Sequence, residues 1–543
     1  MKTTPTYSGV AMPRAGQSRS FDPVLFAIAA LAAFLMFYNL GHRPLWQDEA
    51  ETAALAVNAL EQGVPTVFDG VNIISQEERR EFNTDDYVWR WSPWIQIYMS
   101  AAGIALGGKN AFANRMLFAL CGFFCVLLTY YLIQRHFGDR NWARLSALML
   151  TLSVPFLLFA RQGRYYSLGT LLVLCVLFAF LSNWQKRWFP VAIMAVALGL
   201  LFHANYLLLL SFAPPLLVAA MIVYWHDLNW KRILIVFLGA SCLVIPGILL
   251  YRVGRQSGMF NVLLVPENAM LYFADLVMFM IPFPIAIALL WRWRKTLLLK
   301  LPTDPAERFT LFCALIILGN LIILAIFPQR FHRYLVHLYP LCAFILAWIC
   351  TRLWSFERFS AVVLTVLLLF TNWVYLLPME KLKIINRPWQ NDMRMLTSVN
   401  FPLKLYLTEL TCGYPDVNAQ LAKFFNDNAK PWQTILAEYG DLPLQFYTPF
   451  RVIGGLQGAI PANESPDWVV RRRIVRVNRD RVLFGARAFS NTLDLAHDYE
   501  LVKTAIADDE FGNRADPAYH VFLPLEDPMA TIEIYRKKDE VNQ

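Results

Sequence analysis

Long apolar stretches dominate the first 377 residues of the chain. A transmembrane helix needs about 20 apolar residues to cross roughly 30 Å of hydrocarbon, and eleven stretches approach that length: 22–41, 113–135, 144–160, 166–183, 188–203, 206–225, 232–251, 269–290, 309–327, 334–351 and 359–377. The apolar stretch 93–108 ends in Gly-Gly-Lys and predicts a helix lying in the membrane interface. The pattern predicts a mainly α, polytopic membrane protein with about 11 or more transmembrane helices.

The pattern changes after residue 377. The segment 378–543 carries charges and Pro and Gly punctuation. Short runs typical of strands occur at Gln433–Tyr439, Asp467–Val470 and Thr531–Tyr535, and a helical pattern occurs near Val417–Asn426. We therefore predict an N-terminal tail (1–21), a membrane domain (22–377) with a long first loop (42–112), and a small C-terminal α/β domain (378–543).

Composition supports a membrane protein. Only 16% of the 543 residues are charged and 57% are hydrophobic, whereas soluble proteins carry about 25% charge. Too little charge remains to coat several soluble domains. The net charge of +9 lies largely in alternate short loops, which the positive-inside rule assigns to the cytoplasm, so we expect no nucleic-acid partner. With the N-terminal tail inside, the first loop and the C-terminal domain fall on the opposite, periplasmic side.

Polar residues gather where the predicted spans end on that outer side. They are Arg161 and Arg164; His203 and Tyr206; Asp275; and Arg330, Arg333, Tyr334 and His337. Ionisable groups at membrane depth usually line a cavity or pathway, and arginine holds phosphate with a planar fork of donors. The cluster indicates a site for a lipid phosphate. The alternative is that these arginines contact lipid headgroups or acids of the outer domain.

Two adjacent acids, Asp48 and Glu49, follow the first span directly. A carboxylate fixed near the membrane surface can act as a general base for an acceptor hydroxyl or amine. If the segment is helical, Asp48 and Glu51 share one face and Glu49 points elsewhere. The alternative is a pair of helix N-terminal acids stabilised by the helix dipole.

These residues together resemble the GT-C superfamily of membrane glycosyltransferases that use polyprenyl-phosphate sugars. The likeness is to bacterial relatives of protein O-mannosyltransferases and lipid A aminoarabinose transferase. The motifs that carry it are Asp48-Glu49, Trp91-Ser92-Pro93-Trp94, Arg161-x-x-Arg164-Tyr165-Tyr166, His203-x-x-Tyr206, Arg333-Tyr334-Leu335, Tyr439–Leu444 and Pro466-Asp467-Trp468.

The resemblance implies roles for residues of this sequence. Asp48, beside Glu49, would be the catalytic base, and Arg330 or Arg333 would hold the donor phosphate with help from Arg161 and Arg164. The donor and acceptor cavity would be lined by Tyr165, Tyr166, His203, Tyr206, Trp91 and His337. The reaction would transfer the sugar with inversion, using lipid phosphate as leaving group.

The sequence departs from the aminoarabinose transferases around Trp91. Arg90-Trp91-Ser92-Pro93-Trp94 lacks the acid and the second proline that precede the interfacial helix in those enzymes. No cofactor is required by the sequence. A divalent metal stays open, with His203 as the candidate ligand.

The expected partners are a polyprenyl-phosphate sugar donor, the lipid bilayer and an envelope acceptor, which could be lipid A, a glycan, a glycolipid or a protein. The expected location is a bacterial inner membrane. Two other functions stay open: a lipid or glycan transporter or flippase, and an inactive assembly factor. Transporters tend to show repeats and mid-membrane charges, whereas here the charges lie on one rim.

Overall fold

The computed structural model of the protein describes residues 21–538, with gaps at 183, 185, 252, 254–261, 295–300, 329, 382–395, 397, 414–415, 473–483, 509–513, 521 and 523–530. The predicted N-terminal tail, apart from residue 21, and part of the basic loop 291–308 lie outside the described residues.

The apolar stretches fold into a helical bundle. The helices of this part are α1 (Pro23–Phe37), α2 (Gln47–Gln62), α3 (Ile95–Gly107), α4 (Ala111–Phe137), α5 (Arg140–Leu152), α6 (Val154–Ala160), α7 (Tyr166–Leu181), α8 (Trp188–Ala204), α9 (Tyr206–Tyr224), α10 (Trp230–Leu250), α11 (Val265–Phe279), α12 (Phe283–Trp293), α13 (Pro305–Ile326), α14 (Tyr339–Phe356), α15 (Arg358–Phe370) and α16 (Trp373–Lys381). Each predicted span, and the predicted interfacial stretch, has a helical counterpart.

Two predicted spans are wrong as single helices. The stretch 144–160 divides into α5 and α6, which are bent by 67°; Ser153 caps α6 and Pro155 stands in its first turn, where a proline costs no intrahelical hydrogen bond. The stretch 269–290 divides into α11 and α12 at Met280–Pro282, and Pro284 opens α12.

The number of described helices long enough to cross a membrane is smaller than the eleven spans that the sequence predicts. Among the described residues, six helices are long and apolar enough to cross a membrane, or seven if the bent pair counts as one. The remaining spans are apolar helices of 10–17 residues. The structure is that of a multi-pass membrane protein, and the count of eleven remains a prediction.

In its described residues, the C-terminal segment contains the predicted helix near 417–426 and the three predicted strands, together with two further strands and three further helices. It comprises α17 (Pro402–Thr411), α18 (Val417–Asn428), β1 (Thr434–Ala437), α19 (Asp441–Tyr447), β2 (Arg451–Gly454), β3 (Trp468–Arg471), α20 (Phe484–Ser490), β4 (Tyr499–Val502) and β5 (Glu533–Lys537). The strand order is β2-β1-β3-β5-β4. Strand β1 runs parallel to β2 and β3, while β5 is antiparallel to β3 and β4.

The carboxyl edge of this sheet packs against the first loop. Asp441, which follows β1, accepts hydrogen bonds from Gln47 Nε2 and Gln457 Nε2, both at 2.8 Å. Leu442 and Phe446 of α19 pack in one apolar cluster with Leu45 and Ala50. The sheet edge thereby fixes the start of α2.

Candidate active site

Helix α2 is held by the second of its two adjacent acids. Glu49 is fully buried and receives two parallel hydrogen bonds from Arg115, Nε to Oε1 at 2.8 Å and Nη2 to Oε2 at 2.6 Å. The backbone N–H of Gly163 donates a third, at 2.8 Å. Arg115 also donates to the carbonyl oxygens of Leu40, Arg43 and Pro44. Glu49 thus joins α2, α4 and the turn after α6, and its acceptor atoms face protein donors.

Asp48 points to a different environment, as helical geometry requires. Its Oδ2 accepts a hydrogen bond from Arg333 Nη1 at 2.5 Å and lies 4.0 Å from Arg164 Nη2. The side chain keeps 15% of its surface exposed, whereas Glu49 keeps none. The first loop, the α6–α7 turn and the 3-10 turn His332–Leu338 therefore meet at this carboxylate.

Arg164 joins the two acids of that helix face. Its Nη1 donates to Glu51 Oε1 at 3.1 Å, to Thr52 Oγ1 at 2.8 Å and to the Asp48 carbonyl at 2.9 Å. Gln76 Nε2 donates to the other oxygen of Glu51 at 2.6 Å. The prediction that Asp48 and Glu51 share a face is confirmed.

A third arginine, which the sequence did not single out, completes the surroundings of Asp48. Arg514 of the C-terminal domain is 9% exposed and interacts electrostatically with Asp48 and Arg333. Tyr439, which follows β1, also interacts with Asp48 and Arg514. These residues stand far from Asp48 in the sequence, and Arg514 belongs to no recognisable motif.

The charges around Asp48 and Glu51 shift their pKa values in opposite directions. Burial raises the pKa of Asp48, but the positive charges of Arg333, Arg164 and Arg514 lower it by more than burial raises it. The pKa of Asp48 therefore lies below the ordinary 3.8. Burial dominates at Glu51 and Asp48 adds repulsion, so its pKa lies above 4.5 although Arg164 opposes the shift. Asp48 is therefore the ionised carboxylate and Glu51 the one that takes up a proton more readily.

Tyr165 and Tyr166 lie beside the arginines. Both are buried, their rings are 4.7 Å apart, and both interact with Arg333 and Arg164. The Tyr165 N–H donates to Gln96 Oε1 at 3.2 Å, which links the α6–α7 turn to α3. The structure brings these two predicted cavity residues to the arginines that meet Asp48, and Tyr166 also interacts with Asp48 itself.

Arg161 and Arg330 are held elsewhere. Arg161 donates to the carbonyl oxygens of Leu35, Met36, Tyr38 and Asn39, so it satisfies the free carbonyl groups at the end of α1. Arg330 donates to Asp275 at 3.1 Å, and His332 lies 3.9 Å from the same carboxylate. Of the four predicted phosphate ligands, Arg164 and Arg333 meet Asp48.

The predicted histidines also contact protein groups. His337 is fully buried, and its Nε2 lies 2.8 Å from Asn320 Nδ2. His203 Nε2 lies 2.9 Å from the Leu243 carbonyl oxygen, and its Nδ1 lies 3.4 Å from the Tyr251 hydroxyl. Tyr206 packs near Phe202, and Trp91 packs on the apolar cluster of the first loop.

The described part of the chain contains no group of three or more His, Cys, Asp or Glu side chains arranged as metal ligands. His203, the candidate ligand, has an amide carbonyl and a phenol as its neighbours. The donor set around Asp48 is rich in arginine, which suits an anion rather than a cation.

Comparisons with known proteins agree with this fold. Residues 92–251 match the protein family described as Dolichyl-phosphate-mannose-protein mannosyltransferase. ArnT from Cupriavidus metallidurans in the apo state has a TM-score of 0.56 at 15% identity, covering 88% of this chain and 96% of that one. The same protein bound to undecaprenyl phosphate has a TM-score of 0.50 at 16% identity, covering 79% of this chain and 86% of that one.

One protein of known sequence matches a shorter part of the chain than the solved structures do. An uncharacterized protein of Aquifex aeolicus (strain VF5) is 31% identical over 132 residues, which are 24% of this chain and 23% of that protein. The chain thus spans about a quarter of this relative. The match over residues 92–251 and the fold shared with ArnT agree with the resemblance drawn from the sequence.

Proposed function

We propose that this protein transfers a sugar from a polyprenyl-phosphate donor to an envelope acceptor, at the periplasmic face of a bacterial inner membrane and with inversion at the anomeric carbon. The observation that carries the proposal is the environment of Asp48, where one ionised carboxylate stands among three arginines, of which Arg164 and Arg514 are buried and Arg333 is 16% exposed. ArnT, whose fold the chain shares, has been crystallised with undecaprenyl phosphate. The family match favours a transferase over the transporter and assembly-factor alternatives.

The reaction needs a base and a phosphate clamp. The acceptor heteroatom attacks the anomeric carbon and forms the new bond, while the bond from that carbon to the phosphate oxygen breaks and its electron pair leaves with the lipid phosphate. Asp48 takes the acceptor proton. The leaving phosphate gains negative charge as the bond breaks, so fixed guanidinium groups stabilise the transition state more than the ground state.

The contact between Asp48 and Arg333 links donor binding to base strength. In the structure Arg333 holds Asp48 at 2.5 Å and keeps its pKa low. A donor phosphate that takes over Arg333 removes this hydrogen bond. The pKa of Asp48 then rises, and the carboxylate becomes a better proton acceptor when the donor is in place.

The phosphate clamp is tested by lipid binding. Arg333→Ala is expected to weaken binding of undecaprenyl phosphate by about tenfold to a hundredfold, since a charge-assisted hydrogen bond contributes about 1.5–3 kcal/mol. Native mass spectrometry of the full chain in detergent measures this, with undecaprenol as the uncharged probe. Arg352→Ala is the matched control, because Arg352 pairs with Asp304 at a half-exposed position. Equal binding by Arg333→Ala and the wild type would place the phosphate elsewhere.

The pH profile tests the link between Arg333 and the base. The profile of kcat/KM reports the free enzyme, in which the pKa of Asp48 lies below 3.8. Activity is therefore expected to fall only as the pH drops through that low value. In Arg333→Gln the lost positive charge raises the pKa, so the acid limb of the residual activity moves to higher pH. An acid limb that stays in place would contradict the assignment.

A further inference from the structure

The C-terminal domain reaches the candidate active site through Arg514. The guanidinium carbon of Arg514 lies 5.3 Å from the Trp46 ring centroid, 5.5 Å from that of Phe331 and 5.0 Å from that of Tyr519. Trp46 directly precedes α2, and Phe331 directly precedes the 3-10 turn that bears Arg333. Arg514 therefore stands between the two segments that bring Asp48 and Arg333 together.

The neighbouring backbone is anchored to the turn that bears Arg164. Gln162 Nε2 donates to the Ala515 carbonyl oxygen, and Gln162 Oε1 accepts from Trp46 Nε1 at 3.1 Å. His520, in the same segment, lies 2.7 Å from Glu409 Oε2, and Arg43 of the first loop donates to Glu409 Oε1 at 2.8 Å. Arg43 Nη1 also lies 3.3 Å from His520 Nε2, so the segment that follows Arg514 contacts the membrane domain through Ala515 and through His520.

Three arginines around Asp48 keep unused hydrogen-bond donors. The Nε atoms of Arg164, Arg333 and Arg514 are buried and have no hydrogen-bond partner among the described residues. Arg514 pairs through Nη2 with Asp516 at 3.0 Å, which leaves the Nε–H group unsatisfied. Buried donors without acceptors are unfavourable, and a phosphate offers several acceptor oxygens to such groups.

We propose that Arg514 is a third ligand of the donor phosphate, so that the C-terminal domain supplies part of the anion site; this inference rests on the proposed function. The phosphodiester of the donor carries one negative charge, whereas a phosphate monoester carries about 1.5–2 at pH 7. A third guanidinium therefore stabilises the additional negative charge that the phosphate gains in the transition state and carries as the leaving group. The site is complete only when the C-terminal domain is docked.

This role leads to a distinct kinetic pattern. Loss of Arg514 lowers kcat more than it raises KM for the donor, because its interaction strengthens as the phosphate gains charge. It also weakens binding of the product undecaprenyl phosphate. A residue that only docks the domain through its aromatic contacts would instead lower thermal stability and leave the preference for the phosphate unchanged.

The experiment compares the full-length protein and its variants for binding of undecaprenyl phosphate and undecaprenol. Arg514→Gln keeps much of the side chain and removes the charge, Arg514→Lys restores the charge without the fork, and Arg536→Ala is a control in a surface pair with Glu500. We expect Arg514→Gln to lose the preference for the phosphate by about tenfold or more, Arg514→Lys to recover part of it, and Arg536→Ala to match the wild type.

The outcomes separate the two proposals. If Arg514→Gln keeps the wild-type preference while Arg333→Ala loses it, the role of Arg514 is wrong and the proposed function stands. If the wild type does not distinguish the phosphate from the alcohol, both are wrong. Should Arg514→Gln fail to fold, phenylglyoxal labelling of wild-type Arg514, read by peptide mass spectrometry, decides. Undecaprenyl phosphate but not undecaprenol is expected to slow the labelling, and equal rates would overturn the role.

Discussion

Replacing Asp48 by asparagine is expected to reduce sugar transfer by about a thousandfold, within the range of 10²–10⁴ that a general base contributes. The amide is nearly the same size but cannot take a proton from the acceptor. Its loss of charge also frees Arg333, which is hydrogen-bonded to the carboxylate at 2.5 Å. Undecaprenyl phosphate should therefore bind at least as tightly to Asp48→Asn as to the wild type.

The two measurements must be made on the same preparation. Transfer is followed as product formed from a polyprenyl-phosphate sugar, and binding is followed by native mass spectrometry. Glu61→Gln is the matched control, since Glu61 is exposed near the end of the same helix. Full transfer activity in Asp48→Asn would show that Asp48 is not the general base. Glu51, on the same helix face, would then be the next carboxylate to test.

Replacing the adjacent acid should have a different effect. Glu49→Gln leaves Arg115 buried without its charged partner, and breaking a buried ion pair costs about 3–5 kcal/mol. The side chain of Arg115 is 8% exposed and that of Glu49 is fully buried, so water compensates for little of the loss. We expect a marked fall in the thermal unfolding temperature of the purified protein in detergent, and loss of activity as a consequence.

Neighbouring positions thus separate chemistry from stability. Asp48→Asn should lower the unfolding temperature less than Glu49→Gln does, because the Asp48–Arg333 pair is more exposed than the Glu49–Arg115 pair, and Glu61→Gln should behave as the wild type in both assays. If Glu49→Gln unfolds at the wild-type temperature and loses only transfer, Glu49 acts in the reaction rather than in holding α2.

The sequence names candidate residues for the site, but it does not show which of them pair with one another. Asp48 and Glu49 are adjacent in the sequence, and only the packing of α2 shows that Arg115 and Gly163 enclose Glu49. The same holds for Arg161 and Arg164, which the α6–α7 turn directs to the end of α1 and to Asp48 respectively. The spacing of residues along the sequence identifies the candidate site residues, whereas the residues that they contact belong to distant segments of the chain.

Nothing in the sequence indicates that Arg514 lies near Asp48. It stands in a C-terminal segment without a motif, and its approach to Asp48 depends on the contacts of Ala515 with Gln162 and of His520 with Arg43. Gln47 is likewise fixed by Asp441 across the domain boundary. No local pattern encodes these contacts.

The sequence by itself determined the positions of the apolar helical stretches and of three of the five described strands, because hydrocarbon thickness and backbone periodicity impose lengths and spacing on the chain. It also showed that the arginines stand where predicted spans end. The tertiary structure decided which of those charges meet Asp48, where the long spans break, and that the C-terminal domain reaches the same carboxylate. The physical reason is that burial and charge pairing depend on residues brought together from distant parts of the chain, so each role is set by its neighbours in space.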